Sequence, residues 1–115
     1  FYGGMNLSEN GSPEQKADYL PALAKGELFF AYGLSEPNVG GDLASVETRA
    51  ELDGDWVVVN GAKRWCTGAD WADVIYCLVR SGPAEERYRN LSFLLIPTDT
   101  PGIRMQGIAH SNLRY

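Results

Sequence analysis

The chain has 115 residues, which is enough for one modest domain with its own hydrophobic core. Hydrophobic residues make up 44% and charged residues 22%, an ordinary composition for a soluble globular protein. The formal net charge of -5 argues against a nucleic-acid partner or an anionic membrane surface, because binding phosphate groups requires a basic stripe. No apolar run is long enough to span a bilayer.

Two cysteines and a single histidine make a metal site or a histidine-based triad an unfavoured interpretation, and no metal ligand is predicted. A disulfide between Cys66 and Cys77 stays open, although two reduced, buried thiols are the favoured interpretation. His110 is the only histidine. Because the chain starts at Phe1 and stops at Tyr115 without the features of native ends, we expect an interior segment of a longer protein, in which targeting signals are not visible.

The N-terminal part of the chain predicts helix. Residues 1–11 contain Gly and Asn and predict a loop. Ser12 then begins a helix, because it is followed directly by Pro and three residues later by Gln, the spacing of a capping box. Pro21 is expected to break this helix or to begin a second turn, and Gly26 ends it.

The remaining residues predict a mainly β domain. Short apolar or alternating segments predict strands at residues 28–34, 45–52, 55–60, 62–67, 72–80, 91–96 and 103–108. Asp-Gly at 53–54 and Asn-Gly at 60–61 predict tight turns. This pattern favours an antiparallel β-barrel or sandwich over alternating α/β units. We therefore expect a short helical segment over residues 1–26 and a β domain over residues 27–115.

A hydroxyl residue follows the predicted strand at residues 28–34. Ser35 can donate to a planar ligand, but on chemistry alone the better interpretation is that it caps its own turn and that Glu36 is solvated. The turn at Gly40 and Gly41 can cradle a phosphate through its backbone N–H groups. It lacks the spacing and the following helix of a dinucleotide-binding or Walker motif, so a plain turn is favoured there.

Trp65 and Thr67 form a second candidate site. On a strand, residues two apart lie on the same face, and an aromatic plane beside a hydroxyl suits a flat ring with polar edges, such as a flavin. A core Trp with a neighbouring Thr is an equally good interpretation. Trp56 and Trp71 are expected to be packing residues, and Cys66 lies on the other face without an activating base. No general base stands out in the chain.

In order along the chain, these motifs resemble the acyl-CoA dehydrogenase family. Residues 32–37 (Tyr-Gly-Leu-Ser-Glu-Pro), followed by Gly-Gly-Asp at 40–42, resemble its first signature. Residues 60–67 (Asn-Gly-Ala-Lys-Arg-Trp-Cys-Thr) resemble its second signature, the strand that holds the flavin. The resemblance covers nearly the whole chain and includes residues 13–16, 20–26, 92–97 and 99–102.

The resemblance implies a fold and a cofactor. Family members have an N-terminal helical domain, a middle β-barrel and a C-terminal helical bundle. Residues 1–26 would be the end of the first domain and residues 27–115 most of the second, without the C-terminal domain. FAD lies between the middle and C-terminal domains in this family. The family's catalytic base is a glutamate of the C-terminal domain, so no catalytic residue is assigned within this chain.

The resemblance also implies which residues bind FAD. The Ser35 hydroxyl and the backbone of Leu34 would bond the pyrimidine side of the flavin, and Tyr32 would line the same pocket. Trp65 would lie against the isoalloxazine. The Thr67 hydroxyl would lie near the reactive nitrogen of that ring, where a donor stabilises the electron-rich reduced form.

For the substrate, the resemblance implies that Gly40 and Gly41 lie along the acyl-CoA chain, with Ser35 at the shared edge of the two sites. Three positions depart from the family pattern. Ser35 replaces the commoner Thr, and Asn-Val at 38–39 replaces a smaller Gly-Ala pair. Gly41 stands where many members have Ser, so one side-chain contact to the CoA arm is lost.

The implied activity is that of an FAD-dependent acyl-CoA dehydrogenase of fatty acid metabolism. A base removes the α proton of the thioester while the β hydride passes to the flavin, and electrons leave to an electron-transfer flavoprotein. Family members are commonly homotetramers or dimers, and either the bacterial cytoplasm or the mitochondrial matrix is expected. The segment alone is expected to be inactive. Two alternatives stay open: a flavin-dependent oxidase or monooxygenase of the same fold, and a non-catalytic β-barrel binding module.

Overall fold

A computed structural model describes residues 2–109 as two helices followed by one five-stranded sheet. The elements are α1 (Tyr2–Asn10), α2 (Pro13–Lys25), β1 (Phe30–Gly33), β2 (Arg49–Asp53), β3 (Trp56–Asn60), β4 (Val74–Arg80) and β5 (Leu91–Pro97), with a short 3-10 turn at Leu43–Ser45. The predicted class, a mainly β fold preceded by a short helical segment, is confirmed. The division into domains stays a prediction, and His110 lies outside the described residues.

β4 is the strand around which the sheet is built. β1 pairs in parallel with its first half, and β5 pairs antiparallel with its whole length along the other edge. Arg80, its last residue, pairs in parallel with Arg49 of β2, which continues into the antiparallel β2–β3 hairpin. The sheet is therefore mixed rather than purely antiparallel. β1 and β2 share one edge of β4, and the chain between them leaves the sheet and returns to it.

The core lies along β4. Five of its seven residues are buried, and Val79 has no exposed surface. Leu78 packs with Val39 and Val46, which belong to the chain between β1 and β2. The apolar core therefore fastens this connecting segment to the central strand.

Helix α1 occupies residues for which the sequence predicts a loop. Gly3 and Leu7 are buried, and the Gly3 N–H donates to the Tyr32 hydroxyl at 2.9 Å. A Cβ at Gly3 would come within 2.9 Å of the Phe30 ring, so the close approach to β1 requires glycine. Tertiary packing therefore outweighs the low helix propensity of this segment.

Helix α2 begins and ends as the sequence predicts. The Ser12 hydroxyl accepts the N–H of Gln15, whose side chain accepts the N–H of Ser12, and Gly26 ends the helix with φ 71°. Of the two alternatives predicted at Pro21, the break is wrong, because the helix continues through this residue to Lys25. Pro21 is exposed, and the missing N–H removes only one helical hydrogen bond between two well-capped ends.

Three predicted strands differ from the structure. In the segment 45–52 the ladder begins only at Arg49, because the 3-10 turn precedes it. Residues 62–67 form no strand, since the Arg64 N–H donates instead to the Ser35 carbonyl beyond the end of β1. Residues 103–108 form no strand either, and no ladder partner for them lies within residues 2–109.

Two tryptophans expected to be packing residues are exposed in the described chain. Trp56 follows the hairpin turn and is 78% exposed. Trp71 is 64% exposed and meets the Phe29 ring edge-on at 5.3 Å between centroids. Neither helix of residues 2–109 is long and apolar enough to cross a membrane.

We predict that Val79→Ala lowers the free energy of unfolding of the full-length protein by about 2 kcal/mol, since it removes two methyl groups from a filled core. Val57→Ala on the exposed hairpin is the control and should change it by less than about 0.5 kcal/mol. Urea denaturation followed by circular dichroism measures both, and equal losses would contradict the central role of β4.

Candidate functional site

Hydrogen bonds join the two sequence motifs. The Arg64 N–H donates to the Ser35 carbonyl at 2.8 Å, and the Lys63 ammonium donates to the Leu34 carbonyl at 3.1 Å. β1 ends at Gly33, so both carbonyls lie beyond the ladder with β4 and need other partners. Consecutive residues of the second motif supply them.

Glu36 is the buried centre of this junction, with 5% of its surface exposed. Its carboxylate accepts from Lys63 Nζ at 2.8 Å, from Thr48 Oγ1 at 2.5 Å, and from the N–H groups of Glu47 at 2.6 Å and Thr48 at 2.9 Å. The expectation of a solvated Glu36 is therefore wrong. The backbone of Glu36 pairs with Val39 in a tight turn, while the side chain reaches the chain that enters β2.

These partners keep the Glu36 carboxylate charged. Burial is the largest influence and by itself raises the pKa of this carboxyl group. The hydrogen bonds from Lys63, Thr48 and the two backbone N–H groups outweigh burial and lower the pKa from 4.5 to about 2. The Lys63 side chain is only 10% exposed, so removal of either charge would leave the other buried without its partner.

Trp65 presents its ring from a strained backbone. Its φ is 62°, in the left-handed region that residues with a Cβ rarely adopt. The Thr67 N–H donates to the Trp65 carbonyl at 3.0 Å, and the Arg64 guanidinium lies over the indole at 4.5 Å from the ring centroid. Because 62% of Trp65 is exposed, the interpretation as a core Trp does not apply within residues 2–109.

The hydroxyls of Ser35 and Thr67 are free to bind a ligand. Within the described part of the chain, neither the Ser35 nor the Thr67 hydroxyl makes a hydrogen bond. The argument that Trp65 and Thr67 share the face of a strand fails, since the segment is not a strand. An exposed indole whose backbone is hydrogen-bonded to Thr67, and whose neighbour Arg64 is hydrogen-bonded to Ser35, nevertheless brings together the aromatic and hydroxyl groups that a flat ring with polar edges, such as FAD, requires.

The other predicted ligand residues make different contacts. The Tyr32 hydroxyl accepts the Gly3 N–H, and its ring meets Tyr76 edge-on at 6.0 Å, so its described contacts are with α1 and β4. Gly40 and Gly41 are exposed, and a Cβ at either would meet nothing within 4 Å. Packing in the described chain therefore does not require glycine at these two positions.

Asp42 ties the glycine turn to the loop between β4 and β5. Its carboxylate accepts from Arg87 Nη2 at 2.5 and 2.6 Å and from the Ser45 hydroxyl at 2.6 Å. The hydrogen bonds from Ser45 and Arg87 lower the pKa of Asp42. Since Asp42 and Arg87 are both well exposed, this ion pair orients the turn more than it stabilises the fold.

Cys66 and Cys77 are free thiols, the first half-buried and the second buried. Burial is the main cause that raises the pKa of each thiol, so neither is an activated nucleophile. Among residues 2–109, no group of three or more His, Cys, Asp or Glu side chains is placed to hold a metal ion.

Sequence reasoning missed Glu36, Lys63 and Thr48. A signal existed for the first two, because opposite charges stand next to predicted ligand residues in the two motifs. No signal existed for Thr48, which lies inside the segment predicted as a strand and bonds to a residue 12 positions earlier.

Comparisons with known proteins agree on one family. The family model described as the acyl-CoA dehydrogenase middle domain matches residues 31–112. Acyl-CoA dehydrogenase FadE29 of Mycobacterium tuberculosis is 41% identical over an alignment of 118 residues. The alignment covers 97% of this chain and 30% of that protein. The chain thus spans about three-tenths of the length of this relative.

Solved structures give the same result. The structure titled Tcur3481-Tcur3483 steroid ACAD is 38% identical with a TM-score of 0.91, and the match covers 96% of this chain and 29% of that one. A glutaryl-CoA dehydrogenase from Mycobacterium smegmatis, in complex with FADH2, is 36% identical with a TM-score of 0.76, over 87% of this chain and 24% of that one.

We predict that Glu36→Gln lowers the free energy of unfolding by about 3 kcal/mol at pH 7, since Lys63 loses its buried counter-charge. Because folding lowers the Glu36 pKa from 4.5 to about 2, its contribution is complete above pH 4.5 and fades as the pH falls towards 2. The deficit of the variant should therefore shrink between pH 5 and pH 3.

Urea titrations of the full-length protein at several pH values measure this deficit. Glu51→Gln, at an exposed position, is the matched control and should behave as wild type throughout. A Glu36→Gln deficit that stays constant from pH 7 to pH 3 would show that the carboxylate is not held in its charged form.

Proposed function

Because the chain belongs to the acyl-CoA dehydrogenase family, we propose that it forms the flavin-binding part of an FAD-dependent acyl-CoA dehydrogenase. One observation carries the proposal: the exposed Trp65 indole directly follows Arg64, whose N–H is bonded to Ser35, and the hydroxyls of Ser35 and Thr67 are unbonded in the described chain. A similar structure in complex with FADH2 supports FAD as the cofactor. FAD, when bound, supplies the acceptor for a hydride.

Each residue of this site has a separate task in the proposal. The Ser35 hydroxyl and the Leu34 backbone bond the pyrimidine edge of the ring, and Tyr32 borders the same pocket from β1. The Trp65 indole covers the ring and excludes water from it. The Thr67 hydroxyl donates to the part of the ring that becomes electron-rich on reduction.

The substrate in this proposal is an acyl-CoA thioester that undergoes α,β-dehydrogenation. Gly40 and Gly41 border its path, since both are open to solvent and free of neighbouring side chains. The base that removes the α proton is a glutamate outside the described residues. An electron-transfer flavoprotein accepts the electrons, and the protein assembles as a homo-oligomer, a dimer or tetramer, in the bacterial cytoplasm or the mitochondrial matrix.

A panel of acyl-CoA thioesters, assayed with an artificial electron acceptor on the full-length protein, tests this function. Straight, branched and steroid-derived acyl groups belong in the panel, because one similar structure is titled a steroid ACAD. Turnover of at least one thioester with reduction of bound flavin is the expected result. Purified protein without the yellow flavin spectrum would favour a non-catalytic binding module instead.

Reoxidation in air separates the dehydrogenase from an oxidase or monooxygenase of the same fold. We expect reduced flavin in the full-length protein to react slowly with oxygen in stopped-flow mixing. A fast reaction that forms peroxide would contradict the dehydrogenase assignment and favour the oxidase.

We predict that Trp65→Ala weakens FAD retention in the full-length protein, by roughly tenfold in Kd, because the ring loses its aromatic contact. Trp56→Ala removes another exposed tryptophan, from the hairpin, and is the control. Flavin fluorescence during dialysis and titration measures both variants. Unchanged flavin content in Trp65→Ala would count against the stacking role.

We predict that Gly41→Ser lowers the KM for acyl-CoA by about fivefold, the value of one added hydrogen bond of ~1 kcal/mol. The space is open, since a Cβ at Gly41 meets nothing within 4 Å, so stability should not change. Ala84→Ser adds the same hydroxyl at an exposed position in the loop between β4 and β5, outside the proposed path, and should leave KM unaltered. Steady-state kinetics decide, and an unchanged KM in Gly41→Ser would place the CoA arm elsewhere.

A further inference from the structure

We propose that Glu36 and Lys63 are positioning residues that hold Trp65 in its left-handed backbone conformation and thereby preorganise the flavin-binding surface. The inference rests on the proposed flavin site and adds to it two charged residues that need not touch the cofactor.

The strained residue is anchored on both sides. Before it, the Arg64 N–H is bonded to the Ser35 carbonyl at 2.8 Å, and Lys63 is bonded to Leu34 and to Glu36. After it, the Thr67 N–H closes back onto the Trp65 carbonyl at 3.0 Å. A residue with a Cβ stays at φ 62° only where the surrounding structure fixes it, and such positions cluster at functional sites.

Lys63 links the segments on which the position of Trp65 depends. Its Nζ donates at once to the Leu34 carbonyl at 3.1 Å and to Glu36 Oε1 at 2.8 Å. Glu36 in turn accepts the N–H groups of Glu47 and Thr48. One ammonium group therefore joins the end of β1, the entry to β2 and the Trp65 segment.

Gly33 provides the space that this arrangement needs. A Cβ at this position would lie 3.3 Å from Lys63 Cγ and 3.4 Å from Cys77 Sγ. The lysine stem therefore lies beside the last residue of β1, where any side chain would crowd it. This close packing explains why so long a side chain is only 10% exposed.

Loss of the ammonium would release two anchors together. The Leu34 carbonyl would lose its charged donor, and Glu36 would keep a buried charge without its counter-charge. Within residues 2–109, the segment before Trp65 would then keep only the backbone hydrogen bond from Arg64 to Ser35. The indole would leave the orientation that its strained backbone imposes. A flavin-binding surface that is no longer preorganised binds its ligand more weakly even when the protein is folded.

The test is Lys63→Met in the full-length protein, which keeps the stem and removes the charge. After reconstitution of the apoprotein at low temperature, where the fold is intact by circular dichroism, the Kd for FAD should rise at least about tenfold. The flavin absorption bands should shift as well, because Trp65 no longer lies against the ring. Lys25→Met on α2 is the matched control, since that lysine is 66% exposed, and should match wild type.

The double variant Glu36→Gln/Lys63→Met separates positioning from stability. It removes the unpaired carboxylate, so its melting temperature should recover relative to Lys63→Met alone. Its Kd for FAD should stay raised, because the Leu34 anchor is still missing.

Two results would overturn the inference: a folded Lys63→Met protein with the wild-type Kd and flavin spectrum, or a double variant that regains both stability and FAD affinity. Wild-type protein that binds no FAD would refute the proposed function itself, which is a different outcome.

Discussion

The ion pair between Glu36 and Lys63 is the constraint on which the site depends. It lies where β1 and β2 leave a gap along one edge of β4, and the chain that crosses this gap has few ladder bonds of its own. The carboxylate and the ammonium replace that ladder with side-chain hydrogen bonds to three backbone groups, one just after β1 and two just before β2. A buried pair of this kind gives little net stability compared with apolar packing, but it fixes one arrangement among many.

The site therefore combines a buried ion pair with exposed residues that are free to contact a ligand. The side chains of the Glu36–Lys63 pair are buried, while Trp65 and Thr67 are exposed. Residues that bind a ligand must stay accessible, so their positions have to be set by neighbours that are not. The mixed sheet supplies that foundation through Leu78 and its apolar partners beneath the connecting segment.

Sequence patterns predict the structures that neighbouring residues form, such as helix caps and tight turns. They do not predict the structures that depend on contacts between residues far apart in the chain. The capping box at Ser12 and the hairpin turn at 53–54 involve neighbours in the sequence, so both were predictable. The burial of Glu36 depends on Lys63, 27 positions away, and α1 depends on Tyr32, 29 positions from Gly3. Ser35, Trp65 and Thr67 were identified as candidates from their chemistry and family resemblance, whereas the charged support beneath them follows only from the three-dimensional contacts.

The placement of β1 beside β4 has a consequence for folding. At the start of that pairing, the Phe29 N–H donates to the Asp73 carboxylate, 44 positions further along the chain. This hydrogen bond closes a loop that contains both motifs of the site. Closing a loop of this length costs chain entropy before its contacts gain anything, which slows folding. The two halves of the site therefore come together only when this loop is closed. A molecule that bridges them would bind the native state alone and stabilise it against unfolding by mass action.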